Sequence, residues 1–430
     1  MAKRERPPFV PLAFYEALER TGNFRSDATG SVLSKWTGTH WRALSDFEAR
    51  QCAVDWLQGA WAADADRITV RNAQAALDLA LTRLGALPPP QPGDPLVVPC
   101  ANGAVHVDEI TGIATLKAHD KRLAVRYALT CAYEPGAPRP RFDAFLAQIL
   151  PDDAIRRRVQ EYIGYTLLGD TRFQRAQLWL GTGANGKGVL ANIVQALHQL
   201  VAAVRLDAMT GFGLSSLIGA QLIFCDEAPL RGLDESTLKS AIAGEQMLID
   251  RKHRDPVTTA LHGKFLVLGN AVPAIRDQSI GFWRRWDIIP FTVTIAEVDR
   301  DPLLAQTIID SELSGVLNWA LEGLRRLLAR GRFDPIVPPA MQAALAGARL
   351  ETDSIRAWID DTGVATDPTA TCEKSIIYDA YSSWCERSGM CRLSAPRFWA
   401  RLPGALPGLE FTRPRTMGSK RVRCCTIFLH

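Results

Sequence analysis

The apolar positions of this chain change period several times, and each change marks an element. Over positions 69–84, Val70, Ala73, Leu77, Leu81 and Leu84 recur at helical spacing, and the proline-rich run at 88–95 ends that pattern. That run is the first candidate domain boundary. Upstream, helical patterns surround KWTGTHW, where Trp36 and Trp41 flank Thr37-Gly38-Thr39 as a hairpin turn with aromatic anchors for a core. Positions 96–138 are β-like: LVVPCANGAVHV and then GIATL, with Asn102-Gly103 as a hairpin signal. After a second proline-rich break at 135–140, Phe142, Phe145, Leu146, Ile149 and Leu150, then Val159, Tyr162, Ile163 and Leu167, predict two amphipathic helices.

Three short apolar runs follow, LWL at 178–180, LIFC at 222–225 and FLVLG at 265–269. Their lack of alternation suits strands of a parallel sheet buried on both faces. Helical spacing resumes after the first run through Val189, Leu190, Ile193, Val194 and Leu197, and Leu238 and Ile242 mark a further helix. Positions 305–328 carry one long apolar stripe, predicting long helices, and 334–339 is a proline-rich connector. Beyond it, helices are expected around 355–359, 376–385 and 396–401, with a β-like ending at Val422 and 426–429. Three helices and a basic hairpin suggest a winged helix.

Polar residues at the ends of the apolar runs carry the chemistry. Gly181, Gly183, Asn185, Gly186, Lys187 and Gly188 stand between a strand and a helix, in GTGANGKG. Glycines let backbone N–H groups approach a phosphate chain, a helix start adds its positive end, and a lysine adds an ammonium. Gly188 occupies the place where a Ser or Thr hydroxyl would ligate magnesium. LIFC delivers Asp226 and Glu227: Asp226 suits a magnesium ligand, direct or through water, and Glu227 suits a base for the attacking water. The alternative use of such a pair is a helix N-cap with a first-turn acid. Asn270, after FLVLG, suits a hydrogen bond to that water or to the γ-phosphate, or an ordinary turn before Pro273. In GFWRRWDIIPF, Arg284 and Arg285 lie between Trp283 and Trp286 and call for an anionic partner, either an acid of this chain or the γ-phosphate of a neighbouring subunit. The basic turn Arg251, Lys252, His253 and Arg254 suits phosphate contacts or plain solvation, and spacing does not decide between them.

Composition narrows the class. At 430 residues, 47% hydrophobic and 22% charged, the chain has room for two to four domains. No run reaches the ~18 apolar residues of a membrane span, so a cytoplasmic protein with no membrane partner is expected. Nine cysteines, an odd number at unrelated spacings, fit reduced thiols better than a disulfide framework, and Cys385, Cys391, Cys424 and Cys425 lack a paired zinc spacing. The net charge of +4 is uneven: positions 394–430 hold seven basic residues (Arg397, Arg401, Arg413, Arg415, Lys420, Arg421, Arg423) against Glu410, leaving −2 for the rest. Such a tail suits a polyanion partner, with a solvated face as the alternative.

The series GTGANGKG, LIFCDE, LKSAIAGEQMLIDRKHRDP, FLVLGN and GFWRRWDIIPF, in this order over 181–291, resembles the superfamily 3 helicase domain of phage and plasmid primase-helicases, the branch that includes the poxvirus-type primase-helicases. KWTGTHW, VPCANGAVHV and EYIGYTLLGD extend the resemblance upstream. It implies an α/β fold, an AAA+-like P-loop ATPase core with an N-terminal α+β domain (1–140), a helical collar (141–175), the helicase domain itself (176–333) and a C-terminal winged helix (340–430). It further implies ATP and Mg2+ as cofactors, single-stranded and forked DNA as partners, and assembly as a homo-hexameric ring. Lys187 matches the phosphate-binding lysine, Asp226 and Glu227 the magnesium and water-activating pair, Asn270 the sensor, and Arg285 or Arg284 the arginine finger. Lys252 matches the basic residue of a pore-facing hairpin, with Arg251 and His253 beside it, and Arg413, Arg415, Lys420 and Arg421 of the tail are further DNA-binding candidates. No acidic cluster in strand context lies within 1–87, so no primase chemistry is expected from this chain and a separate primase is a possible partner. An origin-binding initiator and a nucleic-acid-sensing ATPase share the same engine and stand as alternatives.

Overall fold

A computed structural model describes residues 9–27, 29–62, 65–88, 95–229, 232–252, 254–273, 275, 277–390, 392–412 and 424–428. At its centre is a parallel sheet of β1 (Ala176–Leu180), β2 (Val201–Ala203), β3 (Leu222–Cys225), β4 (Lys264–Gly269) and β5 (Trp286–Pro290). Its spatial order is β5-β1-β4-β3-β2, and every pairing is parallel. Register sets Leu180 beside Gly269 and Cys225 beside Val267, so β1, β4 and β3 end at one edge. Alternate residues enter two different apolar clusters. Trp179, Phe224, Leu266, Leu268 and Ile289 face one way, and Leu178, Ile223, Cys225, Phe265, Val267 and Ile288 the other. Burial of both faces is why the strand sequences show no polar alternation.

The first cluster is closed by α1 (Pro140–Ile149), α2 (Asp153–Thr166), α3 (Lys187–Leu197) and, after α4 (Glu235–Ala243) on the other side, α5 (Leu304–Arg330). The apolar residues singled out at 142–167 are all buried there. The stripe at 305–328 forms one 27-residue helix in place of several, because the run holds no proline and its glycines sit at contacts. A Cβ on Gly164 would lie 2.4 Å from Ala320 O, and one on Gly323 would lie 2.3 Å from Gln160 O, so the α2 and α5 backbones nearly touch.

Residues 14–84 hold their own core, with Phe14, Leu33, Ala53, Leu57, Ala76 and Ala80 at its centre. KWTGTHW is a hairpin as read: Trp36 pairs with Trp41 and their rings lie 5.6 Å apart. Helix Val70–Arg83 follows the predicted spacing, but Val70 is exposed, since Thr69 caps the helix through Asn72 N–H and puts position 70 on its outer first turn. The β meander Val97–Cys100, Gly103–Val107 and Ala114–Lys117 turns at Ala101-Asn102, one residue earlier than the Asn102-Gly103 signal. Asn102 is held there by both its amide atoms, to Tyr133 O at 3.0 Å and from Tyr133 N–H at 2.8 Å. The meander's Val98, Cys100, Val105 and Val107 pack in the cluster of α1 and α2, so the apolar discontinuity falls at the proline run.

Positions 247–259 form an antiparallel hairpin, Met247–Arg251 with Arg254–Thr259, which carries the basic turn at its tip. Helices Ser354–Thr362, Lys374–Ser388 and Ala395–Ala405 share a last cluster around Trp358, Tyr381 and Phe398, beside short strands that include Cys424–Cys425 and Ile427–Phe428. Among the described residues, no helix is long and apolar enough to cross a membrane.

Candidate nucleotide site

The loop between β1 and α3 uses backbone conformations that few residues tolerate. Gly183 and Gly186 hold φ of 108° and 78°. Gly186 is fixed a second time by packing, because a Cβ there would lie 2.5 Å from Ile149 Cγ2, where α1 runs beneath the loop. Two bonds anchor the loop, Gly181 N–H to Gly269 O at 3.2 Å and Ile295 N–H to Ala184 O at 2.7 Å. Asn185 is buried; its Oδ1 takes Lys187 N–H at 3.4 Å, and its Nδ2 has no partner among the described residues. By contrast, beyond the adjoining backbone no atom lies within 4 Å of where a Cβ on Gly183 or Gly188 would stand. The loop is pinned from below and open above, at the positive start of α3.

The four residues expected to share this edge do emerge there. Lys187 Nζ donates to Gly181 O at 2.6 Å and to Asn270 Oδ1 at 3.0 Å. Burial pulls its pKa below the usual lysine value, while the Asp226 carboxylate acts in the other direction. Asp226 and Glu227 follow β3 and are exposed. Neither caps a helix. That work is done by Asp234, whose Oδ1 accepts Ser236 N–H and Thr237 N–H, each at 3.1 Å. The acid pair is therefore free of its ordinary structural use.

Arg284 and Arg285 lie at the opposite edge. β5 pairs with β1 from Trp286 beside Ala176 to Pro290 beside Leu180, so Arg285 stands one strand length, ~16 Å, from the loop of its own chain. Arg284 is exposed. Arg285 is buried, donates to Gly281 O and leaves Nε without a partner among the described residues. Between two tryptophans the sequence called for an anionic partner, an acid of this chain or the γ-phosphate of a neighbouring subunit. The contact made is to a carbonyl one helical turn back, because Ser279 caps a short helix that ends at the pair.

Lys252 is exposed at the hairpin tip, and Arg251, at the end of the first strand, donates through Nε to Asp255 O at 2.9 Å. His253, Arg413, Arg415, Lys420 and Arg421 lie outside the described residues, as do Arg423 and Val422. Of the remaining tail arginines, Arg397 is exposed and Arg401 is bonded to Asp353 at 2.9 Å.

This donor set fits a nucleoside triphosphate: open N–H groups at a helix start, one ammonium and nearby carboxylates. Among the described residues, no three His, Cys, Asp or Glu side chains could hold a metal alone. A divalent cation here would draw on Asp226, water and phosphate oxygens. Sequence reasoning passed over Arg158, Arg175 and Asp287. Arg158 Nε and Nη2 bind Asp287 Oδ2 and Oδ1 at 2.7 and 2.9 Å, both side chains buried, and Arg175 Nη1 stands 3.6 Å from the same carboxylate. The available signal was the acid itself, one charge inside the apolar strand WDIIP.

Family profiles match two stretches. One described as D5 N terminal like covers residues 13–151, and one described as a family of unknown function (DUF5906) covers 179–285, from the loop's strand to the arginine pair. Among curated proteins, the chain is 23% identical over 273 residues to "Putative helicase 022R" of Frog virus 3 (isolate Goorha), covering 57% of this chain and 28% of that one. It is 21% identical over 311 residues to "Putative helicase 121R" of Invertebrate iridescent virus 3, covering 64% and 33%, and 24% identical over 161 residues to "Putative helicase L207/L206" of Acanthamoeba polyphaga mimivirus, covering 35% and 17%. These matches support a D5-like primase-helicase family. The aligned part spans a third or less of each relative's length. Two solved apo structures of the NrS-1 C terminal region (305–718) share the fold, with TM-scores of 0.51 and 0.50 at 13% identity, covering 97% and 98% of this chain and 100% of each of theirs.

Proposed function

We propose that this chain is an ATP-dependent DNA helicase that translocates on single-stranded DNA as a homo-hexameric ring, in replication of a phage, plasmid or integrated mobile element. The observation that carries the reading is the meeting of Lys187 and Asn270 at 3.0 Å beside the exposed pair Asp226 and Glu227, at the edge of an open phosphate-type loop. The names of the viral relatives, each a putative helicase, support it. In this reading the first 140 residues, the collar, the core and a winged-helix end act as the successive parts expected from sequence.

ATP would supply the phosphoanhydride bond, and Mg2+ bound with it would neutralise part of the charge on the phosphate oxygens. Lys187 leaves Gly181 O and Asn270 to meet the phosphate oxygens, and the α3 N–H groups orient them. Asp226 would hold the cation, directly or through water. Glu227 takes the proton of the attacking water while Asn270 orients that water, and the exposed Arg284 of a neighbouring copy supplies positive charge. Arg285, buried and bound to Gly281 O, is the weaker candidate for that part. Lys252 at the hairpin tip tracks DNA phosphates.

The test is unwinding of a forked duplex with ATP by the full chain, beside Lys187→Ala and Glu227→Gln. Strand separation by the native chain and by neither variant is the expected result. DNA-stimulated hydrolysis without strand separation would replace the helicase reading with an initiator or a nucleic-acid sensor.

A further inference from the structure

The arginine turn is held by residues at the far end of the loop's own strand. Arg175 directly precedes β1, and its Nη1 donates to Arg284 O while lying 3.6 Å from Asp287 Oδ1. The next residue, Ala176, donates its N–H to Arg285 O at 2.8 Å. Consecutive positions of one strand thus take both carbonyls of the arginine pair. The turn's own N–H groups are satisfied as well, Arg284 N–H to Ile280 O at 2.9 Å and Arg285 N–H to Phe282 O at 3.1 Å.

Behind this contact lies a buried ionic frame. Asp287 is 4% exposed and carries the two-pronged Arg158 contact, and Arg158 Nη1 donates to Asp334 O at 2.9 Å. The Phe333 ring faces both guanidiniums, with centroid distances of 4.9 Å to Arg158 and 5.9 Å to Arg175. The Arg284 side chain itself is left in solvent. A fixed backbone with an unburied guanidinium is the arrangement needed to present one charge outward at a set place.

We propose that Arg175 is a positioning residue, holding the turn that offers Arg284 to the nucleotide site of a neighbouring copy of this chain. The proposal rests on the reading of Arg284 as a residue acting across a subunit boundary. Because Arg175 stands at the start of the strand that ends in the phosphate loop, it ties the site a subunit keeps to the arginine it lends. Its removal leaves Asp287 paired with Arg158, so no unpaired buried charge results and the fold survives. What is lost is the grip on Arg284 O, and a displacement of ~1 Å at a reacting geometry costs about 100-fold in rate.

The experiment uses the 430-residue chain, alone and mixed. Arg175→Ala and Arg284→Ala are each expected to bind a fluorescent ATP analogue with unchanged Kd and to lose about 100-fold or more in kcat. Each is then mixed with Lys187→Ala, which lacks the phosphate lysine but keeps its arginine turn. Mixed assemblies place an intact nucleotide site against an intact turn, so turnover rises above that of either variant alone, which a general loss of structure would not give. Arg175→Lys restores part of the rate, since an ammonium reaches one of the two oxygens. Rescue of Arg284→Ala without rescue of Arg175→Ala overturns the role given to Arg175 and leaves the cross-subunit arginine standing. Failure of both mixtures overturns the cross-subunit reading, and full turnover by Arg175→Ala alone overturns the proposal directly.

Discussion

At the edge where β1, β3 and β4 end, Lys187 is half-buried and Asp226, Glu227 and Asn270 are exposed, while at the edge where the strands begin Arg158, Asp287, Lys264 and His198 are buried. The residue types are much the same. Their partners differ. At the first edge the polar atoms lean on one another or on solvent, with Lys187 shared between a carbonyl and Asn270. At the second, Asp287 binds two nitrogens of Arg158, Lys264 Nζ donates to Leu168 O under the Tyr165 ring, and His198 Nε2 meets Thr166 Oγ1 at 3.0 Å. A charge buried in low dielectric must be paired to persist, so the second edge spends its polar groups on the fold and the first keeps them for a ligand.

The comparison breaks most visibly when the same change is made at both edges. Asp287→Ala strands Arg158 in the interior and is expected to lose about 3–5 kcal/mol of stability in urea unfolding. Asp226→Ala, at an exposed position, should stay within ~0.5 kcal/mol while abolishing ATP turnover. Equal stability losses at the two sites would refute the division of labour. Glu227→Gln extends the contrast to chemistry, with nucleotide binding kept and kcat down about 10²- to 10⁴-fold, read by fluorescence titration beside phosphate release.

Acid and base sharpen it next. Burial drives the Lys264 pKa down to about 7, with Asp170 opposing and Arg172 assisting, and drives that of His198 down to about 3. From pH ~7 up to the ordinary lysine value of ~10.4, the unfolded chain holds a proton that folded Lys264 has lost, so stability climbs with pH across that window. From the ordinary histidine value of ~6.5 down towards 3, the unfolded chain gains a proton that folded His198 refuses, so stability falls as pH falls. Lys264→Met should flatten the upper rise and His198→Gln the lower fall, measured as urea midpoints across pH. Unchanged slopes would mean these groups are solvated in the folded chain. The smallest effect belongs to Gly188→Ser. A side chain there meets open space, so stability should hold and the added hydroxyl should lower the Mg2+ concentration needed for nucleotide binding by less than about tenfold.

Much of the site could be read without coordinates because its parts lie close in sequence. Strand, loop and helix at 176–197, the acid pair after 222–225 and Asn270 after 264–269 each occupy the end of an apolar run, and a parallel sheet sends such ends to one edge. The two helices at 140–166 and the Trp36–Trp41 hairpin were legible for the same local reason. Less legible was which of several nearby candidates would take a role, and which role would fall to a distant partner. Asp234 took the capping work once open to Asp226 and Glu227, and Arg285 turned inward to Gly281 O while its neighbour stayed in solvent. Nothing near Arg175 in sequence indicated that it would grip a carbonyl 109 positions away.

The sequence by itself determined the elements, the loop's glycines and lysine, and the order in which carboxylates and amide reach the sheet's edge, since apolar period and backbone freedom act over a few residues. Tertiary structure decided which of two adjacent arginines faces outward, which acids are spent on the fold, and why Gly186 must lie bare over Ile149. Those outcomes depend on burial and on partners both near, as in Arg285 to Gly281 O, and far, as in Gly186 over Ile149 and Arg158 to Asp334 O. A folded interior sets them because only there does an unpaired charge or an extra methyl group become costly.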